Sequence, residues 1–118
     1  MAIASKHLSG AAIAGFLAAA LALPAAASAA DIAKGREKAD QVCASCHGKD
    51  GNTPIDPSYP RLAGQAADYL EQALLDYKSE ARKNAIMGGM AKPLTRAEIR
   101  DLAAYYASLP GQLTYKPK

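Results

Sequence analysis

Cys43, Ala44, Ser45, Cys46 and His47 place both cysteines of the chain and one of its two histidines in five consecutive positions. Two thiols one helical turn apart can each add to a vinyl group of the same porphyrin, forming two thioether bonds. The imidazole that follows then lies against the ring face, where it can bind iron from one side. A C-x-x-C-H run therefore reads as a c-type haem attachment site, with Cys43 and Cys46 as covalent anchors and His47 as an axial ligand. Three other chemistries compete for these residues. A redox-active dithiol needs a surrounding βαβ pattern, and the chain has no convincing strand pattern. Structural zinc wants four Cys or His ligands; Cys43, Cys46 and His47 supply three, and His7 falls in a segment that is expected to be removed. A plain disulfide leaves His47 and much of the loop after it unexplained.

The elements that must position this motif begin after residue 29. Lys6 and His7 form a short positive region, and Leu8 to Leu23 is an uncharged, mostly apolar run rich in Ala and Leu. Pro24 and Ala25-Ala26-Ala27-Ser28-Ala29-Ala30 follow and offer A-x-A cleavage sites. This layout is that of a secretory signal peptide. The apolar run is shorter than the roughly 20 residues a membrane-spanning helix needs. The expected organisation is a signal peptide over residues 1–29 and one domain over residues 30–118, with cleavage after Ala29 or Ala30 and no membrane span once it is removed. Export and C-x-x-C-H support each other, because thioether-linked haem is usually assembled outside the cytoplasm; the expected compartment is the periplasm.

Without Lys6 the chain carries 13 basic and 11 acidic side chains, a net charge of +2. Scattered basic residues in near balance argue against nucleic acid as a partner. A domain of this size is marginal on its own core, and the whole chain has one Phe, no Trp and six Tyr. A buried porphyrin would supply the missing apolar volume.

Asp31 to Cys46 reads as the first helix, with Asp31 as N-cap and Ile32, Gly35, Ala39, Val42, Cys43 and Cys46 at helical spacing. Gly35 is a poor helix former whose place points to close contact with another element. Gly48 ends the helix. Residues 48 to 64 read as a loop punctuated by Gly and Pro, and a loop this long inside a small domain has a function or is disordered. Gln65 to Ser79 is the second helix, with Tyr69, Leu70, Ala73, Leu74 and Tyr77 on one face as core. Glu80 to Pro93 reads as a second irregular stretch. Thr95-Arg96-Ala97-Glu98 is a capping box that opens the last helix, whose apolar stripe is Ile99, Leu102, Ala103, Tyr106 and Leu109. Pro110-Gly111 ends it.

Taken together, these residues resemble a class I bacterial cytochrome c, most similar to small periplasmic monohaem carriers and to one half of the dihaem cytochromes of respiratory chains. The matching segments are Gly35, Cys43 to Gly48, Asp50-Gly51-Asn52, Pro60-Arg61-Leu62-Ala63-Gly64-Gln65, Tyr69-Leu70, a Met-bearing loop, and Leu102-Ala103-Ala104-Tyr105-Tyr106. The resemblance implies an all-α cytochrome c fold, with about three main helices and long loops around one haem c, whose first and last helices cross near Gly35. It also implies that the Pro60 carbonyl accepts a hydrogen bond from Nδ1–H of His47, fixing the ring and raising its basicity. Two departures stand out: Ala39 occupies a position that is aromatic in many relatives, and Glu80 lies where a glycine is often found.

With His47 the single histidine after cleavage, the second axial ligand of such a cytochrome falls to a thioether, Met87 or Met90. The family register favours Met87 and leaves Met90 as a packing residue. His/Met ligation raises the potential and suits electron transfer. The implied function is a periplasmic one-electron carrier, not an enzyme, that meets redox partner proteins as a monomer or in transient complexes. The alternatives are a haem-bearing subunit of a periplasmic or membrane-associated oxidoreductase complex and a gas sensor or peroxidase-like catalyst.

Overall fold

Asp31 opens the first helix by accepting the Lys34 N–H at 3.1 Å, which satisfies a first-turn donor. The computed structural model describes Gly10 and residues 28–112, so the expected signal peptide lies almost wholly outside the described residues. Five helices and no strand occur among the described residues: α1 (Ile32–Val42), α2 (Ala44–His47), α3 (Ala67–Ser79), α4 (Ala85–Ala91) and α5 (Arg96–Ser108). The architecture is all-α, as the sequence predicts.

Its frame is the crossing of α1 and α5. A Cβ at Gly35 would overlap the Asp101 carbonyl and stand 2.9 Å from the Cβ of Tyr105, so glycine there lets the two backbones touch. The Asp31 N–H adds a tie by donating to Asp101 Oδ1 at 2.8 Å. Beside the crossing, Lys38 and Glu98 pair at 2.8 Å. α5 starts with the predicted capping box: Thr95 N–H donates to Glu98 Oε2 at 2.8 Å and Glu98 N–H to Thr95 Oγ1 at 3.2 Å. From there Ile99, Leu102, Ala103 and Tyr106 form one buried stripe, which meets Ala39 of α1, Leu70 of α3 and Leu94. Ala39 is fully packed at 1% exposure.

Four sequence expectations need correction. The first helix does not run unbroken to Cys46. Cys43 has φ −109°, far from the helical value of about −63°, and its carbonyl accepts both the Cys46 and the His47 N–H, at 3.2 and 3.0 Å. That doubled acceptance separates α2 from α1 while keeping the two cysteines one turn apart. The second helix begins at Ala67, two residues later than expected. The stretch from Glu80 to Pro93 is not irregular throughout, because α4 lies within it, capped by the Asn84 side chain. Finally, Ile32 and Tyr69 face outward, 49% and 53% exposed; their spacing fits the apolar stripes, but their positions fall on the rims of the buried faces.

Candidate haem-binding site

The residues from Cys43 to His47 sit where α1 has just left its crossing with α5. Cys43 and Cys46 are free, half-buried thiols. Burial pushes the Cys43 thiol up to about 11, although a hydrogen bond from the Tyr106 hydroxyl opposes the shift. Burial also pushes the Tyr106 hydroxyl well above its usual value, with Cys43 adding to it. Cys43 packs against the buried cluster that includes Tyr106, and in this way the α5 frame reaches the motif.

His47 is 6% exposed, and its Nδ1 lies 2.9 Å from the Pro60 carbonyl oxygen. A carbonyl can only accept, so Nδ1 carries the proton and, in the neutral ring, Nε2 keeps the lone pair that a metal requires. The Tyr59 ring stands against the imidazole, with centroids 6.2 Å apart and planes at 47°. Two consecutive loop residues thus hold the ring, one through a hydrogen bond and one through contact.

The loop that brings them there is itself ordered. Gly48 leaves α2 at φ 82°, a conformation glycine adopts without a Cβ penalty. Asp50 then gathers the Asn52 and Thr53 N–H groups, each at 2.9 Å, and the Thr53 hydroxyl at 2.8 Å. The Asn52 N–H and then the Thr53 hydroxyl hold the Asp50 carboxyl below its ordinary value. The Gly51 carbonyl accepts the Leu62 and Ala63 N–H groups at 2.8 and 3.1 Å, and the Ile55 N–H returns to the Cys46 carbonyl at 3.1 Å. The loop is pinned to the end of α5 as well: Gly64 N–H donates to the Tyr106 carbonyl at 2.9 Å, and Asn52 Nδ2 to the Pro110 carbonyl at 2.8 Å. The Pro60 carbonyl is therefore placed by the same helix that packs on α1.

Cys43, Cys46, His47 and Pro60 come together in this way. Met87 and Met90 lie apart from them on α4, which packs against α3. Asn84 Oδ1 accepts the Met87 N–H at 2.9 Å. Met87 is half-buried, whereas Met90 is 47% exposed. Among the described residues no three His, Cys, Asp or Glu side chains converge as a metal cage. The donor chemistry instead fits a porphyrin anchored by two thiols: two free cysteines one turn apart, then an imidazole with its Nε2 lone pair free and its ring held. Sequence reading missed Tyr59, Asn84 and the contact of Tyr106 with Cys43. Asn84 had a readable signal, a short polar side chain three residues ahead of Met87; the other two depend on the folded loop.

A family model described as Cytochrome c matches residues 32–110. The chain is 46% identical over 86 residues to cytochrome c4 of Thiocapsa roseopersicina, covering 73% of this chain and 44% of that protein. It is 43% identical over 83 residues to cytochrome c-554(548) of Halomonas halodenitrificans, covering 68% of this chain and 98% of that protein. The crystal structure of reduced recombinant cytochrome c4 from Pseudomonas stutzeri superposes with a TM-score of 0.65 at 38% identity, covering 74% of this chain and 50% of that one. The chain thus spans about half the length of the cytochromes c4 it matches.

Proposed function

This chain belongs to the cytochrome c family, and on that premise we propose that it is a periplasmic one-electron carrier whose haem iron is held axially by His47 and Met87. The family role is electron transfer, and the cofactor is covalently attached haem c. When bound, the haem supplies a one-electron Fe(III)/Fe(II) couple. Cys43 and Cys46 hold it through thioether bonds. His47 offers Nε2 to the iron, and the Pro60 carbonyl orients the ring and makes it more electron-rich by accepting from Nδ1. The hydrogen bond between these two residues is the observation that carries the reading, since it commits the imidazole to a metal-ligating tautomer beside two free thiols.

On the other side, Met87 is favoured over Met90 by its greater burial and by the Asn84 cap that fixes its backbone. With both axial positions filled by side chains there is no open coordination site for oxygen or peroxide, and the thioether raises the potential. Residues 1–29 act as the export signal and 30–118 as the haem domain; the positive start, apolar run and A-x-A sites support this. The match to 98% of cytochrome c-554(548) supports reading residues 30–118 as one haem-binding unit.

Acid–acetone extraction of the periplasmic protein leaves the pigment on the polypeptide, and free haem in the organic layer refutes covalent attachment. The axial assignment is read from the ferric sulfur-to-iron charge-transfer band. Met87→Ala abolishes the band and lowers the potential; Met90→Ala keeps the band and loses some stability. The reverse pattern transfers the role to Met90.

A further inference from the structure

The last turn of α3 holds the helix that carries both methionines. The Asp76 carbonyl accepts the Arg82 N–H at 3.1 Å, and the Arg82 guanidinium stands over the Tyr77 ring, 4.9 Å from its centroid. Near the middle of α4, Gly88 runs beside the Tyr77 carbonyl, 3.8 Å from where a Cβ would sit. At its far end the Lys78 ammonium donates to the carbonyl of Lys92, the C-cap residue of α4. Three consecutive residues of α3 therefore fix the approach, the body and the exit of α4.

The chemistry of the Lys78 contact is specific. The C-terminal end of a helix carries unpaired carbonyls and partial negative charge, which a cation stabilises. α4 has seven residues, too few for a helix to persist in water on its own. Its N-terminal end is held by the Asn84 side chain on Met87 N–H; at its C-terminal end Ala91 is buried, and the one side-chain tie given there is that of Lys78 from α3 to the Lys92 carbonyl. Lys78 is also half-buried, so its alkyl stem packs while its charge is spent on one backbone oxygen.

We propose that Lys78 is a positioning residue for the distal sulfur: by fastening the C-terminal end of α4 to α3, it sets how readily the methionine leaves the iron. This rests on the Met ligation proposed above. In the exchange one Fe–S bond breaks and one Fe–N bond to added imidazole forms, with no electron transferred. Without the latch, α4 frays from its C-terminal end and the released state costs less free energy, so imidazole binds more tightly.

The test is an imidazole titration of the ferric holoprotein, read by loss of the sulfur-to-iron band. Lys78→Met, which keeps the stem and removes the donor, binds imidazole about tenfold more tightly, or ~1.4 kcal/mol. Lys78→Arg, which restores a cationic donor, stays within about twofold of wild type. Lys83→Met removes an equal charge from the segment between α3 and α4 and leaves the affinity unchanged. If Lys78→Met yields no holoprotein, Lys78→Gln, too short to reach Lys92, takes its place in the titration. Wild-type affinity in the Lys78 variant overturns the proposal, including where its melting temperature falls, since that is all a merely structural role would produce. An equal gain in Lys83→Met overturns it too, by assigning the effect to charge. Absence of the band from the wild-type protein is a separate failure: it removes the Met ligation, and the latch with it.

Discussion

The two sides of this molecule are built differently. At the α1/α5 crossing, backbone meets backbone through Gly35, the buried stripe of α5 is at most 4% exposed, and α5 has a complete capping box. On the α3/α4 side the helix that carries both methionines, α4, is seven residues long, and two of its three large side chains, Ile86 and Met90, are about half exposed. There the contacts are a stacked guanidinium, a side-chain cap, a lysine on a carbonyl and one small buried side chain, Ala91. The motif with Cys43, Cys46 and His47 is tied to the first kind of structure; the methionines ride on the second. The attachment side is fixed by close packing, which tolerates little displacement. The methionine side is held by one small buried side chain, Ala91, and by a few polar contacts that can open one at a time.

The sharpest test of that contrast is a matched pair of truncations. Leu102→Ala removes a side chain 1% exposed and is expected to cost about 3 kcal/mol in denaturant unfolding of the holoprotein. Ile86→Ala on α4, from a site 53% exposed, costs less than about 0.5 kcal/mol. Equal losses would erase the distinction. Next in size is Gly35→Ala, whose single added methyl has no room against Asp101. Overpacking of this kind costs about 2 kcal/mol, and a neutral result would mean that the helices can part without penalty.

A smaller change goes the other way. Glu80 ends α3 at φ 65°, a left-handed conformation that is strained for any residue with a Cβ. Glu80→Gly relieves that strain at the cost of chain entropy and should raise stability by about 0.5 kcal/mol. The smallest expected effect is that of pH on the α1/α5 edge. A side-chain hydrogen bond with Lys38 and then the Thr95 N–H hold the Glu98 carboxyl below its ordinary 4.5. A carboxyl depressed by folding stabilises the native state above its unfolded pKa, and that contribution disappears as pH falls through the lower, folded value. The stability of wild type and Glu98→Gln should therefore differ near neutrality and converge in acid; a gap that stays constant with pH would remove Glu98 from the ledger of that edge.

The same contrast explains what could be read from the sequence. The capping box at Thr95, the cap at Asp31, the stripe of α5 and the motif itself are local patterns, and each was readable because three or four adjacent residues determine it. The significance of Gly35 was also visible, since a glycine inside a helix calls for a close neighbour. α4 was hidden because Gly88 and Gly89 lower its intrinsic helicity, leaving its formation to contacts from α3 that no local window contains. Tyr69 and Ile32 sit at helical spacing yet face outward, because spacing alone does not locate the edge of a buried face. Tyr59 acquires its role only when Pro60 turns back to His47.

One consequence of the α1/α5 crossing concerns time. The hydrogen bond from Asp31 to Asp101 joins residues 70 apart, so the firmest part of the native domain closes almost its entire length. Such a contact arrives late in folding, since loop closure must precede the packing that rewards it. Cys43 and Cys46 are synthesised long before α5, and until that helix exists there is no frame to bury Cys43 under Tyr106. The interval before the crossing closes is one in which both thiols remain open to reaction, and its length is set by how late α5 comes in the chain.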